Sequence, residues 1–366
     1  MVRIGQVFRT SEYFPLNVIS INQKRLLDNY TALTKINPQM QISPILKSNA
    51  YGHGLTLIAP LLAQTDCPFF CVDSLYEAYE LLKIKIKKPI LITGYVNPLN
   101  LRFKKLPFAY AAFNLKHLRD LLHYQPQAQI HLFVDTGLHR EGLPYADLPA
   151  FLKKLKLKEI KAITGLMSHL ACAEIPSHPL NQQQIKNFTL AKKLCLRAGI
   201  RLKWIHLFNS AGIKNFRQKL GVTNVARIGL SLFLQKPILK LTSEIIQIKK
   251  IPPNSFVGYH ATYQARRQIT LGILPLGYNE GVDFRLSNCG QVKIGRIFCP
   301  IIGRVSMNQT VIDITRFKNP KPEQKVIIFS DNQKDPNSVI NVAKICQIRP
   351  YEILVHLHPS IRREIE

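Results

Sequence analysis

The chain has 366 residues, 46% of them hydrophobic and 20% charged. That composition is close to the globular average and can fill a sizeable core, which excludes a fibre or a disordered regulator. Fifty basic against 22 acidic residues leave a net charge of +28, of which +21 falls in residues 1–240 and +7 in 241–366. The excess arrives as short clusters such as KIKIKK and FLKKLKLKEIK, with no zinc-finger, KH or RNP pattern beside them. They read as solvated helix faces rather than as a nucleic-acid site. No apolar run approaches the roughly 20 residues needed to cross a bilayer, so no membrane association is expected. The N-terminal string MVRIGQVFRTSEYFPL has neither an apolar core nor a small-residue cleavage site, so a cytoplasmic protein is expected. Seven cysteines, at 67, 71, 172, 195, 289, 299 and 346, show no paired metal-ligand spacing. Free thiols and no metal are expected.

From residue 42 onward one cadence repeats: a short apolar run ending in a small or polar residue, then an amphipathic stretch. The strand-like runs are ISPILKS (42–48), FFCVDS (69–74), PILITG (89–94), YAAFN (110–114), IHLFVDTG (130–137), ITGLMSHL (163–170), WIHLFNS (204–210) and VARIG (225–229). Helical periodicity occupies 22–35, 54–65, 73–85, 115–123, 145–156 and 181–197, where Leu and Ile recur at three- and four-residue intervals. Eight such units predict an α/β fold with an N-terminal (β/α)8 barrel over 1–240, an open doubly wound sheet being the alternative. Beyond a boundary near 236–244 the texture changes to short runs such as RQITLGILPL, TVIDIT and QKVIIFS, broken by Pro, Gly, Asn and Asp. Residues 241–366 therefore read as a smaller, mostly β C-terminal domain, with helical periodicity only at 338–348.

Functional groups of a barrel stand at the C-terminal ends of its strands. Lys47, His169, Asn209, Ser210 and Arg227 all fall there. A lone lysine there is ordinarily a solvated loop residue, a lone histidine a satisfied core residue and a lone arginine a surface ion pair. Their sequence context is more specific. The string LKSNAYGHG (46–54), with Lys47 after a strand and Tyr51 four residues on, resembles the pyridoxal-phosphate lysine motif of bacterial alanine racemases. SHLACAE (168–174), HLFNSAG (206–212), VARIGLSLF (225–233), VGYHATYQA (257–265), LGYNEG (276–281), IGRVSMNQ (302–309) and RPYEI (349–353) resemble further segments of that family, in the family's order. The resemblance spans about residues 10–360.

The resemblance implies an isomerase that interconverts L- and D-alanine by a two-base mechanism on pyridoxal 5'-phosphate, supplying D-alanine for peptidoglycan. Racemisation needs one base on each face of the α-carbon, with the cofactor stabilising the charge left between them. Lys47 would hold the cofactor covalently and then serve one face. Tyr259 would serve the other, oriented by His169 and reaching in from the partner subunit of a homodimer. Arg227 would hydrogen-bond the pyridine nitrogen; because guanidinium only donates, that nitrogen stays unprotonated. Tyr51, Ser210, the backbone at Gly229 and Leu230, and Tyr351 match the phosphate group, with His206 and Asn209 beside them. Arg140, the Met307 backbone N–H and Tyr278 would hold the amino-acid substrate.

Four positions depart from the family pattern. Phe133 stands where many members carry a carbamylated lysine that positions the equivalent of Arg140, so Arg140 needs another acceptor, an anion such as chloride or a nearby side chain. His139 and His260 replace frequent glycines and Asn308 a common aspartate, making the local field more positive and favouring a tyrosinate at Tyr259. The alternatives are a broader amino-acid racemase acting on serine, for example, or a catalytically impaired cofactor-binding paralogue.

Overall fold

The computed structural model describes residues 13–366, so the N-terminal string read above falls mostly outside the described residues. The chain divides into two units: one of Leu26–Ala50 and Ile58–Gln235, the other of Met1–Arg25, Tyr51–Leu57 and Lys236–Glu366.

The first unit is an eight-stranded parallel barrel. Its strands are Gln41–Pro44, Phe70–Val72, Ile90–Ile92, Phe108–Ala112, Ile130–Asp135, Ile163–Met167, Trp204–His206 and Val225–Ile228. The second to seventh strands pair in sequence order. The eighth lies parallel to the first, Arg227 opposite Ser43. Backbone bonds complete the ring: Leu46 N–H to the Cys71 carbonyl at 2.8 Å, Asn224 N–H to that of Ile205 and Arg227 N–H to that of Phe208, each at 3.0 Å. Each strand overlaps one of the eight apolar runs read from the sequence, Gln41–Pro44 and Phe108–Ala112 beginning one and two residues before theirs. Residues 130–134 of the fifth strand are buried on both faces, because barrel strands are covered by side chains inside and helices outside. The helices are delimited locally. Ser74 and Glu77 form a capping box on Leu75–Lys83, and the Asn114 side chain caps Leu115–Tyr124, which buries Leu118 and Leu121. Full burial of a leucine contributes about 2 kcal/mol.

The second unit is mostly β. Val18–Ile21 runs antiparallel to Leu239–Glu244 and parallel to Arg362–Ile365. Lys325–Phe329, Gln291–Ile294 and Ile297–Pro300 extend this sheet to six strands. A second sheet joins Gln247–Ile251, Ile269–Leu274 and Thr310–Asp313. Leu239, Leu241 and Ser243 alternate inward along their strand, the period of two expected of an antiparallel sheet with one covered face. The strands Val18–Ile21 and Arg362–Ile365 and the helix Pro350–Val355 are among the elements of this unit that went unread in the sequence. Each has four to six residues, too few to establish a period.

Residues 51–57 are pinned inside this second unit. Gly52 has φ +79°, and a Cβ there would lie 1.9 Å from the Leu354 carbonyl oxygen. Arg363 Nε donates to the Gly52 carbonyl at 2.8 Å. Gly52→Ala combines a left-handed backbone with a backbone overlap, and should destabilise the protein by at least ~3 kcal/mol, read from the denaturant midpoint. All seven cysteines are free. Among the described residues, no helix is long and apolar enough to cross a membrane.

Candidate active site

The first barrel strand delivers Lys47, whose Nζ lies 3.7 Å from Asp73 Oδ1. Ser48, Asn49 and Ala50 then follow a left-handed turn, with φ of 54°, 55° and 52°. Left-handed backbone costs roughly 1–2 kcal/mol per non-glycine residue. Here Ser48 N–H donates to Glu77 Oε1 at 2.6 Å and Ala50 N–H to the Leu46 carbonyl at 2.9 Å. Strain held in this way gathers at functional sites.

Arg227, on the eighth strand, is 4% exposed and is bound by neutral acceptors. Nη1 donates to His206 Nδ1 at 2.6 Å and to the His206 carbonyl at 2.9 Å. Nη2 donates to the Ser168 carbonyl at 2.6 Å and lies 3.4 Å from His169 Nδ1. Nε takes part in none of these contacts. Because guanidinium cannot accept, His206 Nδ1 is the acceptor and its Nε2 carries the proton. That proton points to His131 Nδ1, 2.7 Å away, which fixes the second tautomer. Burial first, and the Arg227 charge second, push His131 down to about 3 and His206 well below the usual imidazole range. Burial, then the charges of Arg227, Arg140 and Lys47, push His169 to about 3.

Two expectations arise here. Gly165 faces the His131 ring, and a Cβ there would approach it to 2.4 Å. Gly165→Ala should displace the ring, loosen Arg227 through His206 and weaken pyridoxal phosphate binding by at least ~10-fold, measured by equilibrium titration. The buried pair also sets an acid limit. The unfolded chain protonates both imidazoles below about pH 6.5, whereas the folded chain keeps them neutral. Stability therefore falls as pH drops below 6.5, with loss continuing toward about 3 for His131. Denaturant titrations should show about 3 kcal/mol lost from the two together between pH 7.5 and 5.5.

After the seventh strand, Asn209 caps the helix Ser210–Asn215 by accepting from Gly212 N–H at 2.9 Å. Ser210 Oγ accepts from Ser231 N–H at 3.3 Å, tying this start to that of Leu230–Leu234, whose N-cap Gly229 provides no side-chain bond. The Ser210 hydroxyl and the Gly229 and Leu230 amides make a donor set without bulk, suited to a phosphate.

The loop after the fifth strand carries Arg140. Asp135 Oδ1 accepts Gly137 and Leu138 N–H at 2.9 Å, and Oδ2 accepts His139 N–H at 3.0 Å. His139 takes φ +56°. Phe133 is buried with Ala111 and Met167 and meets Phe113 at a tilt, from which the rings stack through His117 to Tyr95. The side chain that meets Arg140 is Glu141, the residue beside it: Nε and Nη2 each meet one of its carboxylate oxygens. The sequence reading missed Glu141, His131 and Asp73. The trace that Glu141 leaves in the sequence is a carboxylate next to an arginine, a pairing common in exposed loops.

In the second unit, Gly277 lets Tyr278 approach the Ser306–Met307 backbone; a Cβ there would lie 2.0 Å from the Ser306 carbonyl oxygen. Tyr278 N–H donates to that oxygen at 3.0 Å, and Asn308 Nδ2 to Glu280 Oε1 at 2.8 Å. Tyr51 adjoins Gly52, which abuts Leu354 of the helix Pro350–Val355. Tyr351 on that helix accepts from Arg349 Nη1 at 2.7 Å. Tyr259 lies between two left-handed residues, Gly258 and His260, and is 69% exposed; Met307 is 56% exposed. Among the described residues, no group of three or more His, Cys, Asp or Glu side chains could hold a metal.

Comparison with known proteins agrees with this layout. Residues 21–237 match the family model of the alanine racemase N-terminal domain, and 238–365 that of the alanine racemase C-terminal domain. The chain is 31% identical over 316 residues to an alanine racemase of Sorangium cellulosum, covering 81% of this chain and 82% of that one. It is 29% identical over 363 residues to one from Carboxydothermus hydrogenoformans, covering 94% and 97%. In fold it is similar to the alanine racemase of a D-cycloserine-producing Streptomyces lavendulae, with a TM-score of 0.89 at 21% identity over 97% of this chain and 98% of that one. The Bartonella henselae alanine racemase, solved with covalently bound pyridoxal phosphate, gives a TM-score of 0.82 at 24% identity over 96% and 100%.

Proposed function

The chain belongs to the alanine racemase family, and we propose that it interconverts L- and D-alanine with Lys47 and Tyr259 as bases on opposite faces of the α-carbon. It is a pyridoxal-phosphate-dependent isomerase. When bound, the cofactor supplies an electron sink for the pair left at the α-carbon. The observation that carries the residue assignments is the buried Arg227, held by neutral acceptors with Nε outside their set. Such a donor suits a pyridine nitrogen and gives it no proton, which favours returning the α-proton over moving it elsewhere. The donors of Ser210, Gly229 and Leu230 suit the phosphate, with Tyr51 and Tyr351 completing the group by resemblance. His206 fixes Arg227, and Asn209 caps the helix that begins at Ser210.

Lys47 Nζ moves the proton on one face and the Tyr259 hydroxyl on the other, oriented by His169. Arg140 and the Met307 amide bind the substrate carboxylate, and Tyr278 limits the side-chain pocket. The exposure of Tyr259 and Met307 supports a homodimer in which Tyr259 serves the partner's barrel. Cytoplasmic synthesis of D-alanine for peptidoglycan fits the seven free thiols.

Purified protein given pyridoxal phosphate should form D-alanine from L-alanine and the reverse, with turnover of serine and larger L-amino acids lower. Cofactor binding without product would refute this and leave an impaired paralogue; faster turnover of serine would make it a broader racemase.

A further inference from the structure

The loop joining the fifth strand to the next helix is tied at both ends to that strand. Asp135 clamps the amides of Gly137, Leu138 and His139, and Leu143–Pro144 pairs back with Val134 and Asp135. Gly142, at φ +115°, sits where a Cβ would lie 3.1 Å from the Phe133 ring. Within this clamp the backbone at 140–141 has little freedom, whereas the Arg140 side chain is 59% exposed. The rings of Phe133 and Phe113, which meet each other, offer no acceptor. Glu141 grips Arg140 through Nε and Nη2 and leaves Nη1 outside the pair.

Charge at the barrel mouth supports the same assignment. Lys47, Arg140 and Arg227 all bear on His169. The carboxylates acting on these cations are Asp73, beside Lys47 and also reaching Arg140, and Glu141, whose charge reaches both Arg140 and Arg227.

We infer that Glu141 is the positioning residue for Arg140, holding one edge of the guanidinium so that Nη1 is presented to the carboxylate of the amino-acid substrate. This rests on the reading of Arg140 as the carboxylate anchor. A two-point grip fixes the guanidinium plane. Glu141 therefore supplies from the adjacent position the acceptor that Phe133 cannot offer, and the site needs neither a modified lysine nor a captured anion.

The test compares Glu141→Ala, Glu141→Gln and Arg140→Ala with the parent holoenzyme. Two measurements are made on each: steady-state constants in both directions, and the Kd of propionate, a non-reacting carboxylate, by calorimetry. Glu141→Ala should raise KM for both enantiomers ~10–100-fold and weaken propionate in parallel, with kcat within about threefold. Glu141→Gln should fall between. Added chloride should restore part of the Glu141→Ala affinity and leave the parent unchanged. Constants within twofold of the parent, or a parent enzyme that itself requires chloride, would reduce the pair to a surface contact. Arg140→Ala with unchanged propionate affinity would instead overturn the reading of Arg140, and absence of racemisation in the parent would overturn the proposed function while the propionate measurement still decides the role of Glu141.

Discussion

Lys47→Ala is expected to abolish covalent capture of pyridoxal phosphate, removing the visible band near ~420 nm that such capture produces, and to lower racemisation by at least ~10⁴-fold. One substitution removes both the tether and a base, so the loss exceeds that of either role alone. Stability should hardly change. Lys47 is 41% exposed and its recorded ion pair is the 3.7 Å contact with Asp73, a partly exposed pair worth less than ~1 kcal/mol. The left-handed turn after it is held by Glu77 and by the Leu46 carbonyl, which the substitution leaves intact. A thermal midpoint close to the parent's, with the band lost, assigns the defect to chemistry. A band that persists would move the attachment point to another lysine.

The barrel was legible because its strands are covered on both faces, so each reads as an unbroken apolar run ending in a reactive or small residue. The C-terminal unit was legible as β texture, but Val18–Ile21 and Arg362–Ile365 were not, since their pairing joins the two ends of the described chain. The candidate reactive residues were proposed through motif resemblance. What supports them was not. His131, His206 and Arg227 form one chain of hydrogen bonds across residues separated by 75 and 21 positions, and no local spacing announces that proximity. Gly165 is the trace of it in the sequence, a glycine inside a strand where a neighbouring ring comes close. Glu141 escaped for the opposite reason. It is so near Arg140 that the pair reads as ordinary loop polarity until the clamp at Asp135 and the apolar wall at Phe133 are seen together.

Tyr259→Phe removes the hydroxyl on one face and keeps the ring. Racemisation should fall ~10²–10⁴-fold, the span of a single acid–base group. Exchange of the α-proton with solvent should persist on the face served by Lys47, so deuterium should enter one enantiomer without inverting it. The two deficient variants then test how the site is assembled. If Tyr259 serves its partner's barrel, a mixed dimer of Lys47→Ala and Tyr259→Phe chains holds one doubly damaged site. The other site is intact, because its barrel has Lys47 and the Lys47→Ala chain supplies Tyr259. Random reassociation makes half of the dimers mixed, so mixing two nearly inactive proteins should recover about a quarter of parental activity. If each chain supplied its own Tyr259, every site in every dimer would lack one base and no activity would return. Recovery therefore reads out subunit sharing directly.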